Sequence, residues 1–198
     1  MFGRFVPSLR TALAVLPLLL LATTSAQSAP LAGREVQRFD VRAPGSDIGA
    51  GGARVRVSAP TNTLRAVVTD YARYSSILGR FKKSNVVGRS ARHTDVYLEV
   101  PIMRGVTKIW AVVRFETPEI RGDEEIIRGR MINGNVNRLD VRWRIRKLDA
   151  TTSQLDCELL IDPDVPAPDS LVLSEVRGAA ARSVSRARTE AERRHSAH

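Results

Sequence analysis

From about residue 95 to residue 162, apolar and polar residues alternate with a period of two, and this stretch limits the fold more than any other part of the chain. That period places successive side chains on opposite faces of a strand, so each run buries one face and shows the other to water. "DVYLEVPIMRG" puts Val96, Leu98, Val100 and Ile102 on one face, and "VTKIWAVVRFE" puts Ile109, Ala111, Val113 and Phe115 on one face, with Trp110 and Val112 opposite. "EEIIRGRMING", which contains Met131, is more charged and ends in the turn signal Asn133-Gly134-Asn135. "RLDVRWRIRKL" sets Leu139, Val141, Trp143 and Ile145 against Asp140, Arg142, Arg144 and Arg146; "SQLDCELLID" sets Leu155, Cys157, Leu159 and Ile161 against Asp156, Glu158 and Asp162. The turn residues "DATT" between them predict an antiparallel hairpin. A register that keeps the two apolar faces together sets even positions opposite even positions, so Arg144 meets Asp156 or Glu158. The arginine row is then a cross-strand charge ladder, worth about 0.2–1 kcal/mol per pair, rather than a phosphate-binding strip.

The flanks supply helices. "EVQRFDVRAPGSDIGAGG" (35–52) reads as a short strand followed by a glycine-rich turn or loop, and "ARVRVSAP" as a strand closed by Pro60. Leu64, Val67, Val68 and Tyr71 share one helix face, with Thr61 or Asn62 as cap. Asp70 is placed to cap a second short helix whose inward stripe is Tyr71, Tyr74 and Ile77 or Leu78, and Gly79 ends it. After the break "DPDVPAPDS", Asp169 or Ser170 caps a helix running to about Arg194. Its apolar face is Leu173, Val176, Ala180, Val184, Ala187 and Ala191; Arg177, Arg182, Arg186, Arg188 and Arg193 lie opposite. A sheet buried on one face must be covered, and this helix is the only long amphipathic element for the task. The expectation is an α+β fold: a curved antiparallel sheet wrapped around a long C-terminal helix, with two short helices after the first strand. Because alanines fill little volume, either the sheet comes close to that helix or space remains between them.

Residues 1–28 are set apart from this domain. Arg4 and Arg10 precede the apolar run "TALAVLPLLLLA", and small residues follow it, the order of a secretory signal peptide. The run is shorter than the ~20 residues of a membrane-spanning helix and is interrupted by Pro17. Cleavage fits after Ala26 or Ser28. The expected destination is the periplasm or outside the cell; the acid-free segment leaves a mitochondrial transit peptide as the alternative. The mature chain then comprises residues 29–52, an N-terminal strand and glycine-rich loop, and a ligand-binding domain over 53–196.

Charge and cysteine narrow the partners. The net charge of +10 falls to +8 without Arg4 and Arg10, 29 basic residues against 21 acidic. No recognition helix, zinc-finger spacing or RNP-like aromatic run accompanies it, so nucleic acid is not expected, and an anionic membrane surface is the partner the surplus favours. Cys157 is the one cysteine, which excludes an internal disulfide and a cysteine-rich metal site and leaves a small buried hydrophobe.

The run Val57-x-Ala59-Pro60…Leu64…Val68-x-Asp70-Tyr71-x-x-Tyr74, followed by Gly134…Trp143, "DPDVPAP" and the helix over 169–194, resembles the START-like (SRPBCC, polyketide cyclase/dehydrase and lipid transport) superfamily, and within it the coenzyme Q-binding branch. The resemblance spans roughly residues 53–194; Gly79 stands where many relatives carry proline. It implies a helix-grip fold and an apolar cavity between sheet and C-terminal helix. Tyr71, Tyr74, Leu98, Val100, Ile109, Val113, Met131, Trp143, Leu159, Leu173, Val176 and Ala180 are the expected lining. The expected ligand is a lipid, quinone or other hydrophobic small molecule, bound by a monomer without cofactor or metal.

No catalytic residue is assigned. His93 lies in the polar stretch "RSARHTD", His195 and His198 are in the tail, and Glu99 falls on the face opposite Leu98 and Val100. The chain reads as a binding protein. Its rivals are a cyclase/dehydrase-type enzyme on a polyketide-like substrate, requiring a buried ionisable group in the cavity, and an interaction module docking through the basic helix face.

Overall fold

The computed structural model describes residues 35–41, 50–102, 107–164 and 168–197; the proposed leader and most of the loop after the first strand lie outside these residues. The chain runs β1 (Gln37–Val41), β2 (Ala50–Val57), α1 (Thr61–Val68), a single 3₁₀ turn (Tyr71–Arg73), α2 (Tyr74–Ile77), β3 (Lys83–Arg89), β4 (His93–Ile102), β5 (Thr107–Glu116), β6 (Glu119–Arg121), β7 (Glu124–Gly134), β8 (Arg138–Lys147), β9 (Ser153–Asp162) and α3 (Asp169–Ser196). The nine strands form one sheet in the order β1-β2-β9-β8-β7-β5-β4-β3, with β6 paired to β7, and every pairing is antiparallel. Among the described residues no helix is long and apolar enough to cross a membrane.

The β8–β9 hairpin has the predicted register: Trp143 is opposite Cys157, and Arg144 is opposite Asp156. The charge ladder forms, with Arg144 3.9 Å from Glu158 and 3.6 Å from Glu124. Arg142 binds Glu158 at 2.9 Å and Arg146 binds Glu124 at 3.0 Å, while Asp156 turns to Arg54 of β2, which grips it through two N–H donors at 2.9 and 2.6 Å.

Three expectations are corrected. The glycine-rich residues 50–52 belong to β2 rather than to a loop, because α3 lies directly on them: a Cβ at Gly51 would meet the Arg177 backbone nitrogen at 2.7 Å. The strand β3 has few apolar residues and a bulge between Val86 and Gly88, so its alternation is too weak to read. Neither α1 nor α3 has a side-chain cap; Pro60 and Pro168 occupy the capping positions, and Thr61 and Asp169 are the first helical residues. Asp169 instead complements the helix dipole from the first turn. Gly79 does end α2, at φ 76°, a backbone region open to glycine.

Helix α3 lies along β2 and β9 and touches β1, α1 and α2. Arg177 sits over Gly51 at one end, and the Ser58 N–H donates to Glu192 Oε1 at 3.0 Å near the other. The alanine face therefore answers the volume question by close approach: Ala180, Val184, Ala187 and Ala191 are fully buried.

Candidate functional site

The concave face of the sheet is built by the odd-numbered residues of β8 and β9 and by their inward partners on β4, β5 and β7. Of the predicted lining, Tyr71, Tyr74, Leu98, Val113, Trp143, Val176 and Ala180 are buried. Val100, Ile109, Met131, Leu159 and Leu173 are only half-buried, as are Leu139 and Val141. The half-buried strand residues fall at or beyond the register of Gly51: Leu159 pairs with Gly51 and Val141, Met131 with Val113, and Ile109 with Val100. The structure thus divides the predicted lining into a packed end beneath the short helices and an incompletely covered apolar end near the start of α3. Leu139 and Val141 were legible as inward residues of the hairpin; their membership of the open end depends on where α3 stops covering the sheet.

The packed end is closed by the stretch Asp70–Tyr74. Asp70 precedes the 3₁₀ turn, yet its side chain makes no cap. Its carboxylate accepts a hydrogen bond from Arg194 Nη2 at 2.8 Å, which ties α1 to the end of α3, and Arg73 lies 3.6 Å away. Arginine at the last turn competes successfully for this carboxylate because the pair is charge-assisted. The Tyr71 ring stacks on Phe115 with centroids 4.4 Å apart, and Tyr74 meets Tyr71 edge-on at 5.6 Å. Burial raises both phenol pKa values. The Tyr74 hydroxyl donates to the Val68 carbonyl at 2.5 Å. The Trp143 indole N–H faces that hydroxyl without reaching full hydrogen-bonding geometry, which leaves a buried donor unsatisfied.

The carboxylates and the thiol nearest the interior are not free to act. Glu125 is buried, and Arg65 of α1 donates to both of its oxygens at 2.6 and 2.8 Å. Burial pushes the Cys157 thiol well above its ordinary range, so it stays protonated. Glu99 accepts from Lys108 at 3.1 Å and from the Tyr97 hydroxyl at 3.0 Å, both on the opposite face of the sheet; Lys108 first, then Tyr97, lowers its pKa. Among the described residues no group of three His, Cys, Asp or Glu side chains is placed to hold a metal ion.

Two surface clefts among the described residues are lined by elements other than α3. One, of about 280 Å³, lies between α1, the 3₁₀ turn and the β3–β4 turn, with Tyr71, Phe115 and His93 in its walls. The other, of about 210 Å³, runs along the charged face of β7, β8 and β9. His93 is less exposed than its polar setting suggests, because its ring leans on Ser90, with Ser90 Oγ 2.9 Å from Nδ1. Residues 90–94 lacked a readable signal, since a hairpin turn brings them together across a strand that the alternation does not reveal.

A family model described as polyketide cyclase / dehydrase and lipid transport matches residues 57–188. Among solved structures, a STAR-related lipid transfer protein from Xanthomonas axonopodis is 16% identical, with 82% of this chain and 96% of that one covered and a TM-score of 0.68. Human StAR-related lipid transfer protein 5 is 9% identical, with 82% and 85% covered and a TM-score of 0.69. The di-domain ARO/CYC StfQ from the steffimycin biosynthetic pathway is 15% identical, with 73% of this chain and 45% of that one covered and a TM-score of 0.55. No curated protein matches. At these identities the structural likeness establishes the helix-grip fold, which hosts both carriers and cyclases. With two-thirds of its length under one family model and that fold around it, the chain belongs to the polyketide cyclase/dehydrase and lipid transport family of the START-like superfamily.

Proposed function

We propose that this protein binds a lipid, quinone or other isoprenoid-type molecule between the first half of α3 and the open end of the concave face, for carriage or sequestration without turnover. The observation that carries this reading is the set of half-buried apolar residues Val100, Ile109, Met131, Leu139, Val141, Leu159 and Leu173. Each apolar Å² that a ligand removes from water there contributes about 25 cal/mol. The lipid-transfer names of the structural relatives support the ligand class. A cyclase would need a proton donor or acceptor free to face the site, whereas Glu125 is already held by Arg65.

The sequence resemblance makes a quinone the first ligand to try. Export through the segment 1–28 would place this exchange outside the cytoplasm. Delivery at an anionic membrane surface would use the crest of α3, where Arg182 and Arg186 are exposed. Arg177 contributes less, because it pairs with Asp40 at 3.1 Å. Vesicle co-sedimentation should then be stronger on anionic than on neutral lipid and should fall with salt.

The test is organic extraction of the purified full chain followed by mass spectrometry, with Leu159→Arg as the comparison. Wild type should release a hydrophobic compound, and the variant, altered at a half-buried position, should stay folded and release little. Equal recovery from a folded variant would reject this location for the ligand.

A further inference from the structure

The cleft of about 280 Å³ at the opposite end of the molecule has a chemistry that the apolar site does not use. Its walls come from α1, the 3₁₀ turn, the β3–β4 turn and the end of β5, and Tyr71 lies at their meeting point. Tyr71 is 7% exposed, yet no described residue hydrogen-bonds its hydroxyl, and that oxygen is not sealed from solvent. A nearly buried phenol with an idle O–H on the wall of a polar cleft is a donor awaiting an acceptor.

The other idle groups are also donors, but Ser90 and His93 are not among them. Ser90 Oγ accepts the backbone N–H groups of Arg92 and His93 at 3.2 and 3.1 Å and lies 2.9 Å from His93 Nδ1, so it is already engaged within its own turn. His93 Nε2 lies 4.0 Å from Asp95, on the face of the sheet opposite Thr94 and Phe115, so this ring turns away from the phenol. Asp95 is already gripped by Arg114 through two bonds of 2.8 Å. Arg89, exposed on the rim, has no acidic partner within 4.0 Å among the described residues, and the Thr94 hydroxyl has no hydrogen bond among them either. Against these, Arg65 has its charge matched by Glu125, and Glu116, also among the lining residues, adds one negative charge nearby. One unmatched cation, two neutral hydroxyl donors and a single nearby acid suit one oxyanion and disfavour a polyanion.

We propose that this cleft is a second binding site, for a single oxyanion, phosphate or carboxylate, held by the Tyr71 hydroxyl, Arg89 and Thr94, which the register Arg89–Thr94–Phe115 and the stacking of Tyr71 on Phe115 bring together. It is separate from the apolar site and stands whether or not that site takes a lipid. The oxyanion is supplied either by a small soluble acid or by a lipid headgroup presented at a membrane.

The test uses the full chain, titrated at constant ionic strength with sodium phosphate and with sodium acetate while NMR follows the amides of residues 69–71 and 89–94. A parallel arm measures binding to phosphatidylcholine vesicles with and without phosphatidic acid. Saturable shifts from phosphate or acetate that chloride does not reproduce are expected for a soluble acid. Association only with phosphatidic acid vesicles is expected for a headgroup. In either case Tyr71→Phe and Arg89→Ala should each weaken binding about fivefold or more, the scale of one charge-assisted hydrogen bond, and Lys83→Ala on the opposite face should not. Tyr71→Phe removes an oxygen that no described residue hydrogen-bonds, so the fold should survive it. No saturable response in either arm, a response equal to that of chloride, or binding unchanged in both variants would overturn the proposal.

Discussion

The two halves of α3 meet the rest of the molecule on different terms. From Ala180 to Ala191 the inward residues are small and fully buried, and Arg194 and Glu192 fasten this half to Asp70 and to the Ser58 N–H. Before Gly178, Val172 and Val176 are buried, but Leu173 is half-buried and Leu171 is 56% exposed, and apolar residues of the strands at this end are also incompletely covered. The same helix thus serves as a core element at one end and as a loose cover at the other. Stability comes from the first role, in which alanines allow close packing and aromatic rings fill the remaining volume. Binding is available to the second, in which apolar surface is left for a ligand to cover.

The most direct way to break this contrast is truncation at each end. Tyr74→Ala should cost about 3–5 kcal/mol, since it removes a ring packed on Tyr71, Phe81 and Phe115 and leaves a cavity. Leu159→Ala, at a half-buried position, should cost roughly 1 kcal/mol, well below a core truncation. Urea unfolding of both variants reads the difference; equal midpoints would mean that the open end is as tightly packed as the closed one. Between these in size lies Gly51→Ala. The added methyl would press on the Arg177 backbone at 2.7 Å rather than on a flexible side-chain tip, so α3 must shift. We expect a loss of about 1–3 kcal/mol and an altered apolar site, measured as changed uptake of a lipophilic probe.

Much of this contrast was legible in the amino-acid order, and the exceptions have physical causes. The β8–β9 register followed from alternation alone, because slipping by one residue would turn Trp143 and Cys157 out of the core. The alanine face of α3 was also plain, but spacing cannot distinguish close approach from empty space; that required the position of Gly51 against Arg177. The strand β3 escaped notice because a bulge breaks its alternation. Asp70 was recognised as a helix-start residue, whereas its choice of Arg194 over a cap depends on a contact 124 residues away. The candidate lining divides into packed and half-covered groups, and that division depends on tertiary coverage that no local pattern encodes.

A smaller effect should appear as pH falls. Arg193 first, and then Arg194, hold the Glu190 carboxyl down at about 2 through hydrogen bonds on the closed end of α3, below the ordinary value of about 4.3. A carboxyl whose pKa is depressed by folding contributes stability that is fully present above its unfolded value and is lost as pH falls toward the folded one. Wild type should therefore exceed Glu190→Gln in stability near about pH 6, and the gap should close between about pH 4.5 and 2. The exposed Arg193 keeps the gap modest. A gap that stays constant over this range would place the contribution of Glu190 in packing rather than in charge.

The finest distinction separates two hydroxyls whose rings share one aromatic cluster. The Tyr74 O–H is buried and donates to the Val68 carbonyl, so Tyr74→Phe leaves that acceptor short of a partner and should cost about 1 kcal/mol. The Tyr71 O–H has no hydrogen-bond partner among the described residues and lies at the polar cleft, so Tyr71→Phe keeps the stacking on Phe115 and should change stability by less than about 0.5 kcal/mol. Unfolding curves of the two variants isolate one oxygen atom each, with ring packing held constant. If Tyr71→Phe proved as costly as Tyr74→Phe, its hydroxyl would be part of the packed end after all, and the boundary between core and cleft would have to move outward past Tyr71. If it proved neutral, conservation of the fold would not require that oxygen, and its presence would be accounted for by what it binds.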